Sequence, residues 1–218
     1  MVIAIDGPAG AGKSTIAQLL ADRIGFAYIN SGNLYRAITL GCLRNGVRIA
    51  EDNVESCVVY ARSAAIEYRN GQVRLNGENV DALLHTEEID RTCAPLSGIV
   101  PIRHVVNDII RNIAGNLDII VEGRDMTTVV FPDAECRFYL DASVEERAKR
   151  RFEQGVSGLS LEEIKKAIAE RDEIDKNKQE GSLKIADGVK VFDTSLLTIE
   201  QTYAILIENI NITRIKHG

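Results

Sequence analysis

The sequence lacks the residues on which several classes of protein depend. Among its 218 residues it has no tryptophan, only three histidines and only four cysteines. His85, His104 and His217 are far apart, so a histidine metal centre is not predicted. The cysteines form no C-x-x-C pair, which disfavours both a zinc site and a disulfide framework. They are typical of buried, reduced thiols in a cytosolic protein.

Long apolar runs and an excess of positive charge are also missing. The apolar run at residues 2–5 ends at Asp6 and is too short for a signal peptide. No stretch approaches the roughly 18 apolar residues that a membrane span requires. The formal net charge of −6 disfavours a broad surface for nucleic acid. We therefore expect a cytoplasmic monomer that binds neither nucleic acid nor membranes.

A phosphate-binding pattern lies near the start of the chain, between a β-branched run and an amphipathic run. Residues 7–14 match G-x-x-x-x-G-K-[ST]. The glycines allow backbone N–H groups to converge on an anion, while Lys13 adds positive charge and Ser14 offers a hydroxyl to Mg²⁺. A structural glycine-rich turn is the alternative. The residues predicted to hold the phosphates of a nucleotide are Gly7, Pro8, Ala9, Gly10, Ala11, Gly12, Lys13, Ser14 and Thr15.

Short apolar runs alternate with amphipathic runs along most of the chain. Since right-handed crossovers join successive parallel strands, this alternation predicts an α/β fold with a doubly wound, five-stranded parallel sheet. The predicted strands are 2–5, 26–29, 117–121, 137–140 and 189–192. Helices are predicted up to Ile24, from an N-cap at Ser31, over 54–65, from Pro101 to Gly115, and after a capping box at Thr198 and Gln201.

The alternation is interrupted at residues 66–98. Two Asn-Gly pairs, Asn70-Gly71 and Asn76-Gly77, separate short alternating runs and predict β-hairpins. We interpret this segment as a small β-rich insertion.

A second interruption follows the fourth predicted strand. Capping boxes at Ser143 with Glu146 and at Ser160 with Glu163 predict two helices, with glycines at 155 and 158 between them. Charged helices joined by a glycine-bearing hinge are typical of a mobile helical lid. The predicted organisation is a single domain with a core (1–65, 99–146 and 186–218), an inserted subdomain (66–98) and a lid (147–185).

Two candidate anion sites lie at the ends of predicted elements. Ser31 begins a helix that carries Arg36 in its second turn, and a helix N-terminus favours anions. Glu122-Gly123-Arg124-Asp125 follows a predicted parallel strand, and ligands of such sheets bind at the carboxyl ends of the strands. A solvated Arg36 and a structural ion pair in the second group are the alternatives.

Two further candidates are helix faces. Spacings of three and four residues group Arg147, Arg150 and Arg151 on one face, where an anion is expected opposite them. A solvated face with Glu145 and Glu146 as partners is the alternative. The same spacing groups Arg171, Asp175 and Lys178 near the end of the lid.

Three segments together resemble the bacterial cytidylate kinase family. They are residues 7–14, Asn30-Ser31-Gly32 with Tyr35-Arg36, and Glu122-Gly123-Arg124-Asp125-Met126 with residues 128–132. The resemblance covers nearly the whole chain, and the β-rich insertion corresponds to one that enlarges the monophosphate-binding subdomain of that family. It implies a P-loop kinase that transfers the terminal phosphate of ATP to CMP or dCMP, with Mg²⁺ as cofactor.

The resemblance also implies roles for single residues. Residues 7–15 would bind ATP. Ser31, Arg36 and Arg124 would hold the CMP phosphate, Ser97 and Asp125 would face the cytosine, Arg171 and Asp175 would meet the sugar, and Lys178 would also belong to the CMP site. Three positions depart from the family: Asn30 replaces an acid, Lys178 replaces an arginine near the end of the lid, and His104, next to Arg103, replaces an arginine near the base.

The proposed chemistry requires cations more than a general base. The acceptor is an anionic phosphate oxygen, so it needs alignment and charge neutralisation. We assign these tasks to Lys13, Arg124, Arg147 and Arg151, with Mg²⁺ held partly by Ser14.

Two other functions stay open at this point. A kinase for UMP or for an alcohol is one, and an alcohol would need a carboxylate base such as Asp6 or Asp125. A GTPase switch is the other, because Asn177-Lys178-Gln179-Glu180 superficially resembles the guanine-reading N-K-x-D pattern.

Overall fold

The computed structural model describes residues 1–69, 71–115, 117–155 and 158–217. Its β-strands are β1 (Val2–Asp6), β2 (Ala27–Asn30), β3 (Ile66–Arg69), β4 (Gln72–Leu75), β5 (Glu78–Asn79), β6 (Ile119–Gly123), β7 (Cys136–Asp141) and β8 (Lys190–Asp193). Its α-helices are α1 (Lys13–Ile24), α2 (Ser31–Arg44), α3 (Val54–Ser63), α4 (Glu87–Leu96), α5 (Val100–Ala114), α6 (Val144–Glu153), α7 (Leu161–Lys176) and α8 (Ile199–His217). Short 3-10 turns span Glu51–Asn53 and Asp81–Leu83, and a π-helical turn spans Met126–Val130. Within these residues no helix is both long and apolar enough to cross a membrane.

Five parallel strands form the main sheet in the order β2-β6-β1-β7-β8. The central strand, β1, pairs with β6 and β7, so that Ala4 is aligned with Val121 on one side and Arg137 on the other. This confirms the predicted α/β fold and its five strands, with bounds that differ from the predicted ones by at most two residues. Because the strands are parallel, their carboxyl ends meet at one edge of the sheet.

The chain divides into two compact units, one formed by Met1–Tyr28 with Asp118–Gly218 and the other by Ile29–Leu117. The boundary falls inside β2. The predicted lid, 147–185, belongs to the first unit and the predicted insertion, 66–98, to the second.

One apolar core holds the first unit together. Ile3 and Ile5 of β1 lie on the same face of the sheet, where they pack with Ile16 and Leu20 of α1 and Leu206 of α8. All five side chains are buried. Period two along the strand and periods of three and four along the helices place these residues at one interface.

The second unit contains a separate antiparallel sheet of β3, β4 and β5. Asn76 and Gly77 both have positive φ angles, of 50° and 84°, as a two-residue hairpin turn requires. The turn predicted there is confirmed. The other predicted turn, at Asn70-Gly71, includes a residue outside the described part of the chain.

The predicted insertion is not composed of strands alone, since α4 lies within it. The Thr86 hydroxyl accepts a hydrogen bond from the Ile89 amide and caps this helix, and Glu87, Glu88 and Asp90 favour its positive end. Pro95 in the last turn concealed the helix, because proline usually ends helical patterns.

Two predicted helix starts need correction. Asn30, and not Ser31, caps α2: its side-chain oxygen accepts the Asn33 amide at 3.3 Å, and Ser31 is the first helical residue. At α6 only half of a capping box forms, because the Ser143 amide donates to the Ser195 hydroxyl. The reciprocal boxes predicted at Ser160 with Glu163 and at Thr198 with Gln201 are both confirmed.

The four cysteines are free thiols, as the sequence predicts, and Cys42, Cys57 and Cys136 are buried. Burial is the main cause that raises the pKa of Cys42, to about 12, and that raises the pKa of Cys57 as well. These thiols are therefore suited to packing and not to nucleophilic chemistry.

Candidate active site

The loop between β1 and α1 has the backbone of a phosphate cradle. Gly7, Gly10 and Gly12 have φ angles of 151°, 81° and 85°, which residues with a side chain rarely adopt. A Cβ atom on Gly7 would overlap the Leu140 carbonyl oxygen of β7. Gly12 begins α1 without a side-chain cap, so no side chain competes with an anion for the first N–H groups. We call residues 7–14 the phosphate loop.

Lys13 is folded into this loop. Its Nζ donates to the Pro8 carbonyl oxygen at 2.8 Å, and only 5% of the residue is exposed. Burial, the largest cause, and the positive charge of Arg124 together lower the pKa of Lys13 to about 7, although Glu122 and Asp6 oppose the shift. A phosphate placed in the loop would add negative charge beside the ammonium group and raise its pKa.

We expect the binding of ATP at pH 8 to be accompanied by the uptake of about one proton. With a pKa of about 7, free Lys13 is mostly neutral at pH 8, and a phosphate beside it restores the charged form. Calorimetric titrations in two buffers of different ionisation enthalpy measure this uptake. It should decline below pH 6, where Lys13 is already charged, and disappear in Lys13→Met. A binding enthalpy that is independent of the buffer at pH 8 would contradict the expectation.

A cavity of about 660 Å³ opens beside the phosphate loop. The loop, the end of α6 and the chain from Thr194 to Thr202 form its walls. Ser14 and Thr15, the residues whose hydroxyls the sequence assigned to Mg²⁺ and ATP, both line it. The volume lies within the range of small-molecule sites, so the cavity can hold a nucleotide.

Arg147 is buried outside that cavity. Its guanidinium donates twice to the Asp172 carboxylate of α7, at 2.6 and 3.1 Å, and also to the carbonyl oxygens of Ala142 and Ala9. Since Ala9 belongs to the phosphate loop, Arg147 ties α6 and α7 to that loop. The sequence predicted Arg147, Arg150 and Arg151 on one face with an anion opposite them; for Arg147 that anion is Asp172, and this arginine is not in the cavity lining.

The other two arginines of α6 line the cavity. Arg150 donates to the carbonyl oxygen of Thr194 at 2.6 Å and to its hydroxyl at 3.2 Å, and it also pairs with Glu146 at 3.4 Å. Arg151 is exposed. Of the three, Arg151 is therefore the best placed to meet a phosphate in the cavity.

Arg124, at the carboxyl end of β6, lies in a cluster of charged residues. Its Nε donates to the Asp175 carboxylate at 2.8 Å, and Lys178 Nζ donates to the other oxygen at 2.8 Å. Burial raises the pKa of Asp175, but the two cations outweigh that effect and bring it down to about 2. Arg171, on the preceding turn of α7, is exposed, and its charge lowers the pKa of Lys13. The cluster thus brings together three of the residues assigned to the acceptor.

The second unit holds the other acceptor candidates. Ser31 is buried in the first turn of α2, and Arg36 one turn later pairs with Asp90 of α4, with Nε and Nη2 both 2.9 Å from one carboxylate oxygen. Arg36 is therefore neither solvated nor alone, and Asp90 is a partner that the sequence did not indicate.

In the segment that the resemblance places near the base, Arg103 and His104 are not arranged as expected. Arg103 is buried, lies over the Tyr35 ring at 5.7 Å, and donates to the Ser97 carbonyl oxygen at 3.0 Å, whereas His104 is exposed. The Ser97 hydroxyl donates to the Ala94 carbonyl at the end of α4. The structure thus brings Arg103, and not His104, to Ser97.

Several residues of the site were not found from the sequence. Asp172 and Asp90 are far in the chain from their arginine partners, and Thr194 precedes the last helix without any motif. Asp172 could have been found from the sequence. It lies three residues before Asp175 and therefore on the same side of α7.

A loop of this build, between the central strand and the first helix of a parallel sheet, is the nucleotide-binding element of P-loop kinases, and the chain is of that class. A sequence profile described as "Cytidylate kinase" matches residues 3–212. The chain belongs to the cytidylate kinase family.

Individual relatives agree with that assignment. A cytidylate kinase of Borreliella burgdorferi (strain ZS7) is 40% identical over 222 residues, which cover 99% of each chain. A cytidylate kinase of Borrelia duttonii (strain Ly) is 42% identical over 217 residues, which cover 98% of this chain and all of the other.

Solved structures with low sequence identity share the fold. An uncharacterized protein of Eubacterium ventriosum aligns with a TM-score of 0.56 at 12% identity, and a shikimate kinase of Bacteroides thetaiotaomicron with a TM-score of 0.50 at 12% identity. Each alignment covers 97% of this chain and 98% of the other. At this identity they bear on the fold alone.

Proposed function

We propose that the protein transfers the terminal phosphate of ATP to CMP, and also to dCMP, giving ADP and the corresponding diphosphate. The observation that carries this proposal is the match of residues 3–212 to the cytidylate kinase family. The phosphate loop with its buried Lys13 supports the donor half of the reaction. We further propose that the enzyme acts as a cytoplasmic monomer without nucleic-acid or membrane partners.

The donor half is assigned to the first unit. The loop amides and Lys13 would hold the phosphates of ATP, and Arg151 would reach the transferred group from the cavity wall. Arg147 would act indirectly, because its N–H groups donate to Asp172 and to two carbonyl groups. We assign the closing movement that excludes water to the lid, residues 147–185.

Magnesium fits the donor site as a cofactor that arrives with the nucleotide. In the described part of the chain no group of three or more His, Cys, Asp or Glu residues could hold a metal. Ser14, exposed in the cavity, offers one hydroxyl ligand, and Mg²⁺ commonly takes its remaining ligands from phosphate and water. When bound, the ion would neutralise charge on the phosphates.

For the acceptor half we keep the residue roles that the family resemblance implies. Arg124, Arg36 and Ser31 would bind the CMP phosphate, and Asp125 and Ser97, supported by Arg103, would select the base. Arg171 and Asp175 would bind the sugar, with Lys178 as the cation that keeps Asp175 ionised. Before CMP binds, Arg124 and Arg36 are paired with Asp175 and Asp90, so the acceptor phosphate would compete with these carboxylates.

Two observations weigh against Asp6 as a base for an alcohol acceptor and against a GTPase switch. Asp6 is fully buried and accepts three hydrogen bonds, so it is not placed to act as the base that an alcohol acceptor would need. The Asn177–Glu180 sequence begins at the C-cap of α7 and does not follow a strand, and its Lys178 is paired with Asp175. Protection against thermal unfolding by ATP and not by GTP would test the second point.

Removal of either acceptor arginine should weaken the use of CMP and leave ATP almost unaffected. A charge-assisted hydrogen bond contributes roughly 1.5–3 kcal/mol, so Arg36→Ala and Arg124→Ala should each raise the KM for CMP about 10- to 100-fold. The KM for ATP should stay within about twofold. Initial rates with either substrate varied at saturation of the other provide both constants.

Two exposed ion pairs offer matched controls, one in each unit. Arg44→Ala removes a partner of Glu78, and Arg23→Ala removes a partner of Glu200. Both variants should retain both KM values. Equal losses of CMP and ATP affinity in Arg36→Ala or Arg124→Ala would show that the acceptor site is misplaced.

A further inference from the structure

Asp6 is the last residue of β1 and directly precedes the phosphate loop. Its carboxylate is 0% exposed and accepts three hydrogen bonds, from the Met126 amide (2.8 Å), the Thr127 amide (2.7 Å) and the Thr127 hydroxyl (2.6 Å). All three donors lie in the first two residues of the π-helical turn that follows Arg124 and Asp125.

The need for these bonds follows from the shape of the turn. The amides of Val129 and Val130 donate to the Asp125 carbonyl, and the Phe131 amide donates to the Met126 carbonyl. As at any helix start, the first amides, here those of Met126 and Thr127, have no carbonyl partner within the turn. The Asp6 carboxylate supplies both acceptors, and π-helical turns are frequent at functional sites.

Keeping the buried Asp6 carboxylate ionised costs free energy. Burial raises the pKa of Asp6 to about 6, the bonds from Thr127 and Met126 lower it, and the neighbouring charge of Asp125 raises it. The charge of Asp6 in turn raises the pKa values of Lys13 and Tyr139. A buried carboxylate is retained at this position although β1 is otherwise apolar, which indicates that its hydrogen bonds serve a purpose.

We infer that the Asp6 carboxylate is a positioning group that fixes the segment of residues 124–130, which we call the acceptor turn, against the phosphate loop. One rigid strand end then sets the separation between the residues that grip the donor and Arg124 and Asp125, which receive the acceptor. This inference rests on the proposed function for the name of the acceptor. Alignment of two phosphates is the main requirement of the reaction, and a displacement of about 1 Å can cost about 10²-fold in rate.

Three variants test the inference. Asp6→Asn keeps the shape but places an N–H group against a donor. Thr127→Val removes one of the three donors without changing the volume, and Thr127→Ser is its matched control because it keeps the hydroxyl. We expect Asp6→Asn to lower kcat/KM for CMP about 100-fold and Thr127→Val about 10-fold, while Thr127→Ser stays near the unsubstituted chain.

Two readouts distinguish positioning from a general effect on folding. The KM for ATP and the protection by ATP against thermal unfolding should be unchanged in Thr127→Val and Thr127→Ser, which keep the charge of Asp6 that raises the pKa of Lys13. Hydrogen exchange at the Met126 and Thr127 amides should become at least about tenfold faster in Asp6→Asn, with the amides of residues 7–14 still protected when ATP is present. If Asp6→Asn does not fold, a comparison of Thr127→Val with Thr127→Ser tests the inference by the same criteria.

The inference is overturned if kcat/KM for CMP stays within threefold in Asp6→Asn, or if ATP and CMP are lost in parallel without faster exchange at the two amides. Failure of the proposed function has a different signature, since the unsubstituted chain would then not use CMP. The amide exchange requires no turnover, so it decides the positioning role in that case as well, and the kinetic comparison is made with the monophosphate that the chain does use.

Discussion

Replacement of Lys13 by alanine is expected to lower kcat for phosphoryl transfer from ATP by about 10³-fold. Lys13 belongs to the phosphate loop, and its Nζ donates to the Pro8 carbonyl oxygen of the same loop. Without it, the charge that spreads over the transferred phosphoryl group loses a preorganised partner inside a buried site. Steady-state rates of ADP release at saturating CMP and ATP measure the loss.

The melting temperature separates this effect from unfolding. Burial lowers the pKa of Lys13 to about 7, so at neutral pH this side chain opposes folding, and Lys13→Ala without ligand should melt no lower than the unsubstituted chain. Lys149→Ala, an exposed lysine on α6, is the control and should keep full activity. Full activity in Lys13→Ala would contradict the assignment of the phosphate loop.

The second large effect is expected on stability, at the buried pair of Arg147 and Asp172. Removal of one partner leaves the other charge buried and unpaired, which typically costs about 3–5 kcal/mol. For a chain of this length, Arg147→Ala should therefore melt roughly 6–20 °C lower, as followed by circular dichroism or calorimetry. Activity should fall in parallel because the Ala9 carbonyl of the phosphate loop loses its partner.

Two comparisons sharpen this test. Lys166→Ala removes one partner of an exposed pair with Glu170 on the same helix, α7, and should change the melting temperature by less than about 2 °C. A double substitution, Arg147→Met with Asp172→Leu, removes both buried charges and should recover much of the lost stability, since apolar replacements of such pairs are often tolerated. If Arg147→Ala melts like Lys166→Ala, the pair is not a structural one.

The parts of the fold that depend on local sequence could be predicted. Apolar alternation located the five strands, and the left-handed glycines of the phosphate loop follow from a pattern of eight consecutive residues. The phosphate loop could be recognised from the sequence because phosphate binding there uses backbone amides. The positions of these amides depend on neighbouring residues alone.

The parts that depend on contacts between distant residues could not be predicted. Helical spacing put Arg147 on a face with two other arginines, but Asp172, 25 residues further along the chain, is what holds it. The resemblance left both Arg103 and His104 near the base, and only packing in the second unit shows which one turns inward. Asp6 could be read as a possible base until three donors from residues 126 and 127 occupied its oxygens.

The central claim is that CMP is the acceptor of the phosphoryl group, and a coupled assay of ADP release tests it most directly. Purified protein with ATP and Mg²⁺ is given CMP, dCMP, UMP or AMP in parallel, each over a range of concentrations. We predict that kcat/KM for CMP exceeds that for UMP and AMP by at least about tenfold, with dCMP also used, because buried polar groups reject a base that leaves them unpaired. ADP release that does not depend on CMP, or that is faster with UMP or AMP, would contradict the claim.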